Sequence, residues 1–281
     1  MSPSLSTNHI KRLGAELRHE RMTEDSEFWP TYVHYLTRCD QLRAEVEERV
    51  RASLPQDVIV TGRTKSRDTL RDKLQRTPTI QLPNIDDVIG VRVVGDFTLS
   101  EQDAIADSLG AAFDGALKTR DRRSEPSAGY RALHVIVKAE ESRAEIQVRT
   151  RLQAEWADVF ERLADKWGRQ IRYGLPPDPD STGIIEAREG HIRAIQELST
   201  KYIANYEVGL SKDAEGAEPV VPSSRELGNR SQQALVTTMR SKEHNKRLVE
   251  FTSDYSRARD EFRVSLLKGL DDLARKTASI P

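Results

Sequence analysis

From Val58 onward the chain gathers its apolar residues into four short runs, Val58 to Val60, Val91 to Val94, Leu133 to Val137 and Ala144 to Val148. Runs this short and this rich in β-branched residues suit strands and are too brief for buried helices. Between them, residues at about 66 to 76 and 100 to 113 carry helical patterns, and a longer one follows from about 151 to 168. Such interleaving makes a sheet with helices on at least one face, and the last two runs, separated by a short turn, imply an antiparallel pair. The expected fold class is α+β, a mixed β-sheet flanked by helices.

Ahead of the sheet, residues 26 to 54 read as a helix, with Ser26 as N-cap, Pro30 in the first turn, and Val33, Leu36, Leu42, Val46 and Val50 at helical spacing. A shorter helix precedes it, so residues 1 to 54 are expected as N-terminal helices packing on a core domain of residues 55 to 174. Leu175 to Gly183 holds three prolines and reads as a linker. Residues 184 to 281 then form a C-terminal helical extension, with helices at 184 to 210 and about 225 to 276. In the latter, Leu248, Phe251, Tyr255, Ala258, Phe262, Leu266 and Leu273 make one apolar stripe. That stripe covers the chain's own helices, or it serves self-association or a neutralising protein partner.

Composition narrows the classes. With 281 residues, 32% of them charged, and a mean hydropathy of -0.64, the chain reads as soluble and globular, and nothing in it resembles a membrane span. The N-terminus lacks the order of a secretory signal, so a cytoplasmic location is expected. Cys39 is the single cysteine, which rules out an internal disulfide, and no Cys/His cluster has zinc spacing. The net charge of -1 (44 minus 45) offers no overall field for a polyanion. Local charge differs: Arg63, Lys65, Arg67, Arg71, Lys73 and Arg76 face only Asp68 and Asp72, and residues 118 to 131 are again basic. Two basic islands in a neutral chain suit a confined anionic ligand.

Four segments carry candidate chemistry. Gly62-Arg63-Thr64-Lys65 leads into a helix, and Lys65, Thr69 and Lys73 at i, i+4 and i+8 line one helical face suited to phosphates. A solvated charged helix shows the same spacing. In Asp86-Asp87-Val88-Ile89-Gly90-Val91-Arg92, two carboxylates precede a strand that bears one guanidinium. These are ordinary cap and edge residues, or a metal ligand and a base-stacking Arg. In Gly129-Tyr130-Arg131-Ala132-Leu133-His134, Tyr130 and His134 share a face. In the fourth segment Glu145, Gln147 and Arg149 project from one face and Ala144, Ile146 and Val148 from the other. A half-exposed sheet alternates likewise, yet Tyr, His, Glu, Gln and Arg are unusual occupants of its polar side.

In this order the four segments closely resemble the synthetase domain of the RelA/SpoT family, the alarmone synthetases, over roughly residues 55 to 170. The resemblance implies a nucleotidyltransferase-like mixed sheet, Mg2+ as cofactor, ATP as pyrophosphate donor, and the 3′-hydroxyl of GDP or GTP as acceptor, giving AMP and a guanosine tetra- or pentaphosphate. It further implies that Arg63 and Arg92 sandwich the adenine while Lys65, Thr69 and Lys73 bind the ATP phosphates. Asp87 and Glu145 would hold the metal, with Glu145 activating the attacking hydroxyl and Asp86 capping or supporting. Tyr130 would stack on the guanine, and His134, Gln147 and Arg149 would shape the acceptor and phosphate contacts.

The chain also departs from the family. Many members carry Pro-Lys-x-Asn before Gly-Tyr, where this chain has Pro126-Ser127-Ala128 and is one residue shorter. Arg122 and Arg123 are the charges available there for the acceptor. Phe160-Glu161 replaces an expected Glu-His. No His-Asp pair at hydrolase spacing occurs before residue 55, so alarmone hydrolysis is not expected. Two alternatives remain: a toxic small relative that pyrophosphorylates the 3′ end of tRNA, and a silent nucleotide-binding regulatory module.

Overall fold

The computed structural model describes residues 5–19, 23–178 and 185–214, together with scattered positions between 261 and 275. The chain divides into two compact units, Met1–Ala154 and Glu155–Pro281.

The first unit is built on one five-stranded sheet of β1 (Ile59–Thr64), β2 (Ile89–Gly95), β3 (Lys118–Asp121), β4 (Leu133–Ala139) and β5 (Ser142–Thr150), in the spatial order β1-β2-β5-β4-β3. β2 and β5 run parallel and every other neighbouring pair is antiparallel, so the sheet is mixed as expected. The strand β3 was not expected. Its four residues, Lys-Thr-Arg-Asp, have no apolar alternation because it is an edge strand with both faces largely exposed.

The helices of this unit are α1 (Thr7–Arg18), α2 (Trp29–Ala52), α3 (Arg67–Arg76), α4 (Leu99–Ala112) and the start of α5 (Arg151–Trp167). α2 lies against β1 and β2, and α4 against β4 and β5. Between helices and sheet, Val91, Val93, Val135, Val137, Ile146 and Val148 are fully buried beside Ile10, Leu13, Tyr35, Leu42 and Leu109. Each such side chain contributes about 1.5–3 kcal/mol by leaving water. Gly62 lets α2 approach, since a Cβ there would stand 2.5 Å from Oε2 of Glu47. Cys39 sits in this core, where burial pushes its thiol up to about 12 and removes it as a nucleophile.

Two local expectations are corrected. α2 begins at Trp29 with Phe28 as its cap, and Ser26 instead accepts a hydrogen bond from the Phe28 N–H at 3.3 Å. A cap at Ser26 would have put Pro30 at the first position whose N–H the helix needs, whereas the observed start leaves Pro30 in the tolerated first turn. Lys65 precedes α3, whose cap is Ser66, because β1 stays paired to β2 through Thr64 and the Lys65 N–H then bonds to Val88 O at 2.9 Å.

The second unit contains the rest of α5, a short 3-10 segment Arg169–Tyr173, α6 (Ile185–Glu197), a π-helical segment Leu198–Ile203 and α7 (Ala204–Ala214). Trp156 stacks on Phe160 at 4.9 Å and donates to Ile195 O at 2.7 Å, joining α5 to α6. The apolar stripe from Leu248 to Leu273 lies outside the described residues. Among the described residues no helix is long and apolar enough to cross a membrane.

Candidate active site

Strand alternation puts the apolar residues of the sheet against α2 and α4, and the polar ones on the other face. The register then orders them. Thr61, Arg92, Gln147, His134 and Arg120 are successive partners across all five strands. The neighbouring row reads Arg63, Gly90, Glu145, Ile136 and Lys118. Residues scattered along the sequence thereby share one surface.

At one end of this surface stands Asp87, just before β2. Its Oδ2 accepts from Lys65 Nζ at 2.9 Å and its Oδ1 from Lys73 Nζ at 2.6 Å. Burial raises the Asp87 carboxyl, but the two ammonium charges outweigh it and bring the group down to about 2. Lys65 and Lys73 thus converge on one carboxylate. Thr69 instead donates to Ser66 O at 2.9 Å in the cap of α3. Asp86 points elsewhere, accepting from Arg120 at 2.5 Å and from Arg143 at 2.8 Å. Among the described residues Arg63 forms no ion pair.

Glu145 is buried at the centre of the sheet. Its Oε1 lies 3.1 Å from His134 Nδ1, and its Oε2 accepts from Gln147 Nε2 at 2.7 Å. Burial raises its carboxyl, the His134 and Gln147 contacts lower it further than that, and the charge of Asp87 pushes back up, leaving Glu145 below the usual carboxylate range. The two carboxylates are therefore both ionised, and Glu145 feels the charge of Asp87. Among the described residues no group of three or more His, Cys, Asp or Glu side chains gathers. A hard dication that keeps waters and takes phosphate oxygens needs only one or two carboxylates, so this pair fits magnesium.

His134 also faces Tyr130, whose hydroxyl is 2.9 Å from Nε2. Because an ionised Glu145 only accepts, Nδ1–H donates to it, which leaves Nε2 to share a hydrogen bond with the Tyr130 hydroxyl. Arg149 donates to the Tyr130 hydroxyl at 2.9 Å and to Gln147 Oε1 at 2.5 Å. Glu145, His134, Tyr130, Arg149 and Gln147 form a closed hydrogen-bonded ring. The Arg149 guanidinium lies 4.9 Å from the centre of the Tyr130 ring and occupies one of its faces. Burial holds the Tyr130 hydroxyl up, so it stays protonated.

Tyr130 is aimed by a two-residue turn. Ser127 and Tyr130 exchange backbone hydrogen bonds, with Ala128 at φ 51 and Gly129 at φ 87. Positive φ at both central residues is the turn that matches the right-handed twist of flanking strands.

Of the two arginines expected near the acceptor, Arg123 is drawn away. It bonds to Asp121 and Asp103, and reaches Gln102 and Leu99 O at 3.3 Å, fastening the loop after β3 to α4. The Arg122 N–H bonds to Ala132 O at 2.9 Å. Arg120, which sequence reasoning did not single out, stands at the end of the central row with Nη1 3.8 Å from Glu145 Oε1. Its only sequence signal was membership of the second basic island.

The model of the region found in RelA / SpoT proteins matches residues 62–167. An uncharacterized protein of Mycobacterium tuberculosis is 36% identical over 216 residues, which make up 76% of this chain and 78% of that protein. A Mycobacterium bovis protein matches with the same figures. The small alarmone synthetase 1 from Bacillus subtilis superimposes with a TM-score of 0.52 at 18% identity, over 66% of this chain and 99% of that one. At that identity the likeness is one of fold.

Proposed function

This chain belongs to the RelA/SpoT family, and on that footing we propose that its polar sheet face moves the terminal diphosphate of ATP onto the 3′-hydroxyl of GDP or GTP. The acceptor 3′-oxygen attacks the β-phosphorus of ATP. The bond from that phosphorus to the oxygen bridging the α-phosphate breaks, and AMP leaves with the bridging oxygen. The proton of the attacking hydroxyl goes to Glu145.

The observation that carries this reading is the pair of ionised carboxylates, Asp87 held by Lys65 and Lys73 and Glu145 held by His134 and Gln147, with the charge of Asp87 acting on Glu145. Asp87 and Glu145 would hold Mg2+, which when bound neutralises phosphate charge. Lys65 and Lys73 already present their ammonium groups together on Asp87, so a triphosphate arriving there meets two converged cations. Arg63 and Arg92 take the adenine between their guanidinium planes. With Arg149 on one face of Tyr130, the opposite face is left for the guanine. His134 keeps Glu145 ionised and oriented, while Gln147 and Arg149 complete the ring, and Arg120 and Arg122 supply positive charge toward the acceptor phosphates. Catalysis is then positioning with charge neutralisation.

The test is an incubation with magnesium and ATP labelled on its terminal phosphate, offered GDP, GTP or tRNA in parallel. Label on the guanine nucleotide with release of AMP is expected, and loss of that transfer by at least about a hundredfold in Glu145→Gln, with the fold retained. Label on tRNA alone would replace the acceptor, and no transfer to any of the three would end the reading.

A further inference from the structure

Glycines in the sheet usually have a steric or conformational reason. At Gly62 a Cβ would strike Glu47 at 2.5 Å, and at Gly95 it would strike the Phe97 ring at 2.5 Å. Gly129, at φ 87, needs the left-handed region. Gly90 has neither reason. Its φ is not positive, and a Cβ built there meets nothing nearer than 3.7 Å, the Arg63 carbonyl oxygen. It lies within β2, hydrogen-bonded to strands on both sides, yet it is only half-buried, between the fully buried Ile89 and Val91. A glycine there forfeits strand propensity with no gain to the fold. Such a residue marks a place where something approaches the backbone closely.

We infer that Gly90 is the floor on which the sugar of the donor nucleotide rests, and that its missing side chain sets how deeply the donor seats. This inference rests on the proposed reaction. Gly90 is the register partner of Arg63 on one side and of Glu145 on the other, and Arg92 follows two residues later on the same face. Asp87, with its two lysines, precedes it by three. A nucleotide whose base lies between Arg63 and Arg92, and whose phosphates reach Asp87 and Glu145, carries its ribose across Gly90. A methyl group there would lift the sugar off the sheet and pull base and phosphates out of register with their partners.

The experiment compares the full-length wild type, Gly90→Ala and Gly90→Val. A non-hydrolysable ATP analogue with magnesium is titrated calorimetrically into each, and thermal midpoints are measured without ligand. The alanine variant is expected to keep or raise its midpoint while binding the analogue about tenfold more weakly, and the valine variant to bind more weakly still. Gly62→Ala provides the contrast, with a lowered midpoint. Unchanged affinity in Gly90→Ala would overturn the inference alone, as would a loss of affinity that merely follows a fall in midpoint. Absence of analogue binding by the wild type would overturn the inference together with the proposed donor.

Discussion

Lys73 and Asp87 meet at 2.6 Å, and Lys65 takes the other oxygen of the same carboxylate at 2.9 Å. Asp87 is thus the counter-ion of both cations. Asp87→Asn removes that competitor for the ammonium groups. Metal-free ATP should then bind at least as tightly as to the wild type, while magnesium-dependent turnover falls by about a hundredfold or more. Calorimetry and a turnover assay on the same preparation check both halves, and weakened metal-free binding would contradict the first.

The same carboxylate makes stability depend on acidity. Its folded value of about 2 lies below the ordinary 3.8, so the folded state favours the ionised form. The stabilisation is complete above about pH 4 and disappears as the pH falls through about 2, and it amounts to roughly 2 kcal/mol before solvent screening. The gap in thermal midpoint between wild type and Asp87→Asn should therefore close between pH 4 and 2. A gap that persists at pH 2 would count against the ion pairs as its source.

Tyr130 has two separable jobs. Its hydroxyl joins Arg149 to His134, and its ring, with Arg149 on one face, is the proposed platform for the acceptor base. Tyr130→Phe keeps the ring and should cost about 1 kcal/mol of stability with little change in acceptor KM. Tyr130→Ala should raise the acceptor KM by about tenfold or more, because base stacking on an aromatic ring is worth roughly 1–3 kcal/mol. Equal KM values for the two variants would show that the ring does not hold the base.

Ala128 occupies a left-handed position, φ 51, just ahead of Gly129. Asn tolerates that region far better than Ala. Ala128→Asn should stabilise the protein by about 1 kcal/mol and leave acceptor KM unchanged, as read by denaturant titration and kinetics. A lowered KM instead would make the side chain at this position a ligand contact.

Arg123 is an anchor for its loop. Its partners are Asp121, Asp103, Gln102 and the carbonyl of Leu99. Arg123→Ala should cost about 1–3 kcal/mol of stability with acceptor KM little changed, because it leaves polar partners unsatisfied. For Arg122→Ala the expectation is reversed, with stability kept and acceptor KM raised.

Alternation along β5 was enough to put Glu145, Gln147 and Arg149 on one face, because period two is a property of the single strand. Their pairing was not legible. That His134 stands beside Gln147 in register, and that Tyr130 closes the ring through Arg149, depends on the offset between β4 and β5 and on the turn at Ala128. The basic helix was legible as a helix, yet Lys65 proved to be outside it, since strand pairing at Thr64 overrode the helical spacing. β3 escaped notice because an exposed edge strand needs no apolar residues, and Arg120 escaped with it. Arg123 looked like a free charge because its partners at Asp103 and Gln102 are brought near only by the docking of α4.

The parallel pairing of β2 with β5 gives the protein a built-in order of assembly during synthesis. Asp87, Lys65 and Lys73 leave the ribosome well before Glu145, and β2 cannot gain its neighbour until residues 142 to 150 have emerged. A nascent or clipped chain ending before that point carries Asp87 and its two lysines without the strand that bears Glu145, so the two carboxylates come onto one sheet only when β5 is made.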